Sequence, residues 1–190
     1  TSDDEGYVRY NVFYHPFFAI KFTFPEGWDL DNLPDRLVIR KNNSEVTMIS
    51  DNLLRDDIDN GLTPKDYLDQ NIDKTSFLVR NTLIEQKKIN NMLPGYTYLY
   101  ETKSLSEKSY TRYTVFFDID DNDKKPKAWI FIKKFKALND DNQLKVIDDT
   151  FTKMTEDEIS KAKGLRIKVI RFRSGMSYNE LANNSPLGRY

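Results

Sequence analysis

The chain has no cysteine and only one histidine, His15. The missing thiols exclude disulfides, thiolate metal sites and a cysteine nucleophile. The lone imidazole excludes a zinc site of the H-E-x-x-H type, which needs two. It also leaves a Ser-His-Asp arrangement resting on one residue with nothing else in support. Lack of cysteine suits an oxidising compartment and is also common among cytosolic domains. Seven scattered glycines cannot build the G-x-x-x-x-G-K cradle that holds a phosphate. No apolar run approaches the roughly 18 residues of a membrane helix, so no membrane span is expected. The polar opening TSDDEG, beginning at Thr1, reads as the start of a trimmed or processed chain rather than as a signal peptide. An excess of one charge is missing too. Lys plus Arg is 29 and Asp plus Glu is 30, a formal net charge of −1. That balance gives the whole chain no drive toward nucleic acid or an anionic membrane, and no nucleic-acid partner is expected.

What is present is bulk aromatic surface. Twelve Phe, eleven Tyr and two Trp in 190 residues supply a core for one domain, or one domain with a short appendage. Phe18, Ile20, Phe22 and Phe24 recur with period two and predict a strand with one buried face. Pro25-Glu26-Gly27 ends it, and a loop follows from Trp28. Residues 36–40 and 45–50 predict paired strands around the turn Lys41-Asn42-Asn43-Ser44. The acidic stretch 51–61 ends in a loop signal, Asn60-Gly61. Thr63-Pro64-Lys65-Asp66 is a helix start: Thr63 caps, Pro64 suits the first helical position and Asp66 sits at the positive end of the dipole. That helix is expected to reach about Asp73, with Tyr67, Leu68 and Ile72 inward. Strands are expected within 78–90 and over 96–102, 109–119 and 127–133. Leu144, Ile147 and Phe151 predict a helix over 140–153.

Near residue 155 the pattern changes. Thr155-Glu156-Asp157-Glu158 has the spacing of a capping box and predicts a helix to Lys163. Residues 165–172 alternate as a strand, and Ser177 caps a last helix over 178–184. One strand and one helix are too little to bury a core, so this tail must pack on the rest. The residues therefore predict an α+β domain over 1–154, a mostly antiparallel sheet with helices packed on one face, and a β-α tail over 155–190.

Candidate chemistry is sparse. Asp118, Asp120 and Asn122 have the opening spacing of an EF-hand loop, but position six is Asp123 and position twelve is Trp129, where Gly and a bidentate Glu are required. A solvated turn explains them. The acidic loop Asp56, Asp57, Asp59 fails the same template because Ile58 falls on a ligand position. His15 precedes Pro16 among aromatics and reads as a packed structural residue. The lysines at 124, 125, 127, 133, 134 and 136 are offset by Asp120, Asp121 and Asp123 and read as a solvated surface. Tyr96, Tyr98 and Tyr100 share one side of a strand. Together with Trp129 they form the candidate binding surface, either a groove for a small molecule or peptide or simply one face of a sheet. No catalytic, cofactor or metal residue is assigned.

Three segments in order resemble one pattern: Phe13-Tyr14-His15-Pro16 with Ile20 to Phe24, Pro25-Glu26-Gly27-Trp28, Asn32 and Pro34; then Thr63-Pro64 and Leu93-Pro94-Gly95-Tyr96-Thr97; then Thr155 to Lys163, Leu165 to Ile170, Arg173-Ser174-Gly175-Met176-Ser177, Leu181-Ala182 and Ser185-Pro186-Leu187. The series resembles the C-terminal accessory region of secreted bacterial HtpX-like zinc metallopeptidases, over nearly the whole chain. The tail also resembles the opening of a LysM-like unit, with Ser174-Gly175-Met176-Ser177 where that unit usually has Pro-Gly-Asp-Thr. The element order is similar to the PsbP-like α/β/α class, as an analogy of fold. The resemblance implies a non-catalytic module of a periplasmic or cell-envelope peptidase. Its zinc ligands would lie in another domain, and its partners would be that N-terminal peptidase domain, a protein substrate or an envelope protein. Two other readings stay open: a stand-alone exported module with an aromatic groove for peptide, glycan or lipid, and a small hydrolase using His15.

Overall fold

Alternation along single strands sets the faces of this protein, and strand register sets which residues share them. The computed structural model describes residues 6–72, 80–119 and 125–163. They form an α+β fold whose strands pair antiparallel throughout. The chain divides into two compact units. One is residues 27–145; the other joins the two chain ends, 1–26 and 146–190. Of the β-α tail expected over 155–190, residues 164–190, with the LysM-like turn, lie outside the described residues.

In the end-built unit, β1 (Tyr7–Arg9), β2 (Val12–His15) and β3 (Ile20–Thr23) form a meander, and β11 (Thr152–Lys153) adds beside β3. The period-two pattern puts Phe13, Ile20 and Phe22 inside, each at most 1% exposed. Tyr10 and Asn11 both take positive φ in the two-residue β1–β2 turn, as a tight hairpin requires. His15 sits in β2 with its ring 5.0 Å from Phe18 and 6.3 Å from Phe13. The Thr155 capping box forms as its spacing predicts. The Glu158 amide donates to Thr155 Oγ1 at 3.1 Å, and the Thr155 amide donates to a Glu158 carboxylate oxygen at 2.9 Å. The helix that follows, α4, covers 156–163.

The larger unit holds a seven-stranded sheet in the order β4-β5-β6-β10-β9-β8-β7. Its strands are β4 (Asp29–Asn32), β5 (Leu37–Lys41), β6 (Ser44–Asn52), β7 (Asn81–Asn90), β8 (Pro94–Lys103), β9 (Lys108–Asp118) and β10 (Lys127–Phe135). The long hairpins follow the sequence closely. β4 was expected to be loop, and its composition (Asp-Leu-Asp-Asn) explains why: it is a short, half-exposed edge strand held by pairing with β5 rather than by propensity. The acidic stretch also holds a short helix, α1 (Arg55–Asp59), with no side-chain cap and no buried residue.

Two longer helices follow their sequence signals with shifted ends: α2 (Pro64–Asn71) and α3 (Leu138–Thr150). They do not share one sheet face, which corrects that part of the expectation. Tyr98 and Tyr113 are register partners, as are Leu99 and Arg112, so the two pairs point to opposite faces. α2 reaches the first pair through Asp69, and the part of α3 within this unit reaches Arg112 through Asp141. The larger unit is thus layered helix, sheet, helix.

Candidate functional site

The α3 face is closed by packing and by a buried charge network. Trp129 pairs in register with Ser50 and Phe116 and is 3% exposed. Phe116, Phe131 and Phe135 fill the same side, the first two in edge contact. Gly95 lies opposite Phe116, and a Cβ there would stand 2.8 Å from that ring and 2.9 Å from the Val115 carbonyl. Only glycine lets β8 run this close to the ring. Farther along, Arg112 is 6% exposed. Its Nε donates to Asp141 at 2.8 Å, Nη2 donates to Asp141 at 2.9 Å and to Glu85, and Nη1 donates to Thr97 Oγ1 at 3.0 Å. Burial alone would weaken this guanidinium's hold on its proton, but the two carboxylates outweigh it and raise its pKa further. In turn the Arg112 hydrogen bond holds the Glu85 carboxyl below the usual carboxylate range. Every donor group of the side chain has a partner, so this cluster is a structural tie between β7, β9 and α3.

The α2 face differs. Thr63 caps α2 reciprocally with Asp66, at 3.1 Å and 3.0 Å, so the helix starts where Tyr67 and Leu68 turn inward. Tyr67 donates its phenol to Asp51 at 2.7 Å and sets its ring edge-on against Phe117. Tyr98 donates to Asp69 at 2.6 Å, and Lys65 bonds the other oxygen of that carboxylate at 2.7 Å. Burial, then the bond to Asp69, pushes the Tyr98 phenol up to about 12. Burial raises Tyr100 and Tyr113 as well. The rings run as a chain, with centroids 5.3 Å apart for Tyr96–Tyr98, 5.9 Å for Tyr98–Tyr100 and 6.2 Å for Tyr100–Tyr113.

An eight-residue helix is about 12 Å long, whereas seven strands span about 30 Å. α2 therefore cannot cover this face. The rows Thr47–Ile132–Tyr113 and Ile49–Ile130–Val115–Tyr96 run across β6, β10, β9 and β8. Thr47, Ile49, Tyr96, Tyr113 and Ile132 in these rows remain half-buried. Tyr96 donates to Gln86 on β7 at 3.0 Å, so the strip has a polar border. This strip is the candidate site.

Of the four residues expected to form one surface, the structure brings together Tyr96, Tyr98 and Tyr100, with Tyr98 and Tyr100 nearly buried beside α2. Trp129 is on the opposite face. Its register partner is Phe116, one residue out of phase with Val115 and Tyr96. Tyr113 and Ile132 belong to the strip and were missed. Period two within 109–119 and 127–133 would have found them, given the strand register. Among the described residues no group of three or more His, Asp or Glu side chains is placed to hold a metal ion.

No family model and no curated protein matches this chain. Solved structures with similar folds include the Ran-binding protein Mog1p of Saccharomyces cerevisiae, at 8% identity and a TM-score of 0.49, over 73% of this chain and 92% of that one. LpqN of Mycobacterium tuberculosis, involved in cell envelope biogenesis, is similar at 9% identity and a TM-score of 0.47, over 72% of this chain and 83% of that one. A protein from Bacteroides thetaiotaomicron matches at 8% identity and 0.47, over 78% of this chain. The chain spans half the length of that protein. At these values the likenesses are loose, and no functional assignment rests on them.

Proposed function

We propose that this chain is a non-catalytic binding module that holds a protein partner on the α2 face of its large sheet. In the fuller form of this reading it is the accessory region of an HtpX-like zinc metallopeptidase in the periplasm or cell envelope, presenting protein substrate to a separate peptidase domain. The supporting observation is the strip of Thr47, Ile49, Tyr96, Tyr113 and Ile132, largely apolar and aromatic at the middle of a sheet and only partly buried. Amphipathic rings on a rigid strand scaffold give contact area at low entropic cost. Zinc would sit in the peptidase domain, and no step is assigned to this chain's own residues.

The full-length coding sequence tests the parentage. An H-E-x-x-H motif ahead of Thr1 is expected. A reading frame that opens just before Thr1 with only a signal peptide would remove it. The binding role is tested in the full-length protein with Tyr96→Ser and Tyr113→Ser. Cleavage of a protein substrate should fall while cleavage of a short peptide is unchanged, and equal rates on both would end this reading. A stand-alone exported module for peptide, glycan or lipid would use the same strip, because the Tyr96 hydroxyl held by Gln86 sets a polar group beside the rings.

A further inference from the structure

The β8–β9 hairpin tip and the β10–α3 connection lie at one end of the large sheet, as the register pairs Lys103–Lys108 and Tyr110–Phe135 require. Between them these segments, residues 103–108 and 134–138, carry Lys103, Lys108 and Lys136 near the tip with one carboxylate, Glu107, whereas Lys134 lies opposite Glu45 on the other sheet face. All four lysines are exposed. Lys136 bonds Glu107 at 3.1 Å, which joins the two segments. Lys103 and Lys108 face each other directly, an unfavourable placement for like charges unless an anion lies nearby. The tip is closed on itself: Ser104 Oγ donates to the Glu107 carbonyl at 2.7 Å and accepts from the Glu107 amide at 3.2 Å. This turn holds Leu105 fully exposed at the apex. At the opposite end of the sheet, Asp51 and Asp118 close β6 and β9 and Asp56, Asp57 and Asp59 follow in α1, mixed with Arg55 and Lys127.

An exposed leucine flanked by lysines matches a surface with anions outside and hydrocarbon beneath. Nucleic acid would use the lysines but not the leucine, since unstacked bases call for aromatic platforms. We propose that this end of the large sheet docks peripherally on an anionic phospholipid surface. Leu105 enters the interfacial layer, and Lys103, Lys108 and Lys136 face the headgroups. No described helix is long and apolar enough to cross a membrane, so the contact is superficial and salt-sensitive.

The test is co-sedimentation of the full chain with phosphatidylglycerol vesicles and with phosphatidylcholine vesicles at low salt. Binding to the first and little to the second is expected. The double variant Lys103→Glu/Lys108→Glu should lower partitioning by more than about twenty-fold, at about five-fold per lysine near an anionic surface. Leu105→Ser should weaken it, and the emission of Leu105→Trp should shift to the blue with phosphatidylglycerol alone. These side chains are exposed, so far-ultraviolet circular dichroism should be unchanged. No sedimentation with phosphatidylglycerol vesicles would overturn the proposal. So would variants that bind as well as the parent chain, or retention on a single-stranded oligonucleotide with none on vesicles.

Discussion

On one face of the large sheet, Arg112 is ringed by carboxylates and a hydroxyl beneath α3, with Trp129 and three phenylalanines packed along the same side. On the other, a two-turn helix is pinned by two phenols and leaves Tyr96, Tyr113 and Ile132 partly open. The first arrangement commits the Arg112 guanidinium to Asp141, Glu85 and Thr97. The second spends phenols on holding α2 and keeps aromatic surface beyond it. The comparison teaches that in this molecule buried charge ties elements together, while the half-buried aromatics form the surface on which the proposed partner would sit.

Removing the guanidinium should do the most damage. Arg112→Leu leaves Asp141 and Glu85 facing an apolar side chain and should cost about 3 kcal/mol in urea unfolding. A loss under about 1 kcal/mol would mean water already compensates this cluster. Because Arg112 holds the Glu85 carboxyl low, that contribution is present above the ordinary glutamate pKa and is lost as pH falls through the lowered folded value. The acid limb of the stability profile should therefore be shallower in Arg112→Leu. Next comes Gly95→Val, which drives a branched side chain into the Phe116 ring and the Val115 carbonyl. It should cost about 2 kcal/mol, and a neutral result would show that β8 can move away from β9.

Changes on the α2 face should be milder. Tyr98→Phe removes the bond to Asp69, a carboxylate that water can still reach, and should cost about 1 kcal/mol. The same phenol has a pH signature. With its folded pKa raised from 10.0 to about 12, its contribution is complete below about pH 10 and lost as pH rises toward 12. Tyr98→Phe should lose less stability across that window than the parent chain, and identical slopes would show that Tyr98 is not the group involved. The smallest effect is expected from Thr63→Ala, which unmakes the capping box and should cost roughly 0.5–1 kcal/mol. Restoration by Thr63→Ser would tie the loss to the cap.

Much of this architecture was readable before the structure. The Thr63 and Thr155 caps were visible because a cap is a local bond between residues three apart. The tyrosine ladder of β8 was visible because side chains alternate within any strand. α1 and β4 were not, since both are acidic and short and have little apolar periodicity to reveal them. The placement of Trp129 was not either. Its face depends on how β10 registers against β9, and no pattern within 127–133 contains that information.

By itself the sequence determined most of the long elements, their caps and which residues within each strand share a side, because those follow from backbone geometry over a few residues. It also settled that no thiol or second imidazole is available. Only the tertiary structure decided that Tyr113 and Ile132 join Tyr96, that Trp129 faces away, and that Arg112 meets Glu85 and Asp141 from 27 and 29 residues away. Those outcomes depend on the register of long-range strand pairs and on the packing of α3, which are fixed by burial summed over many residues.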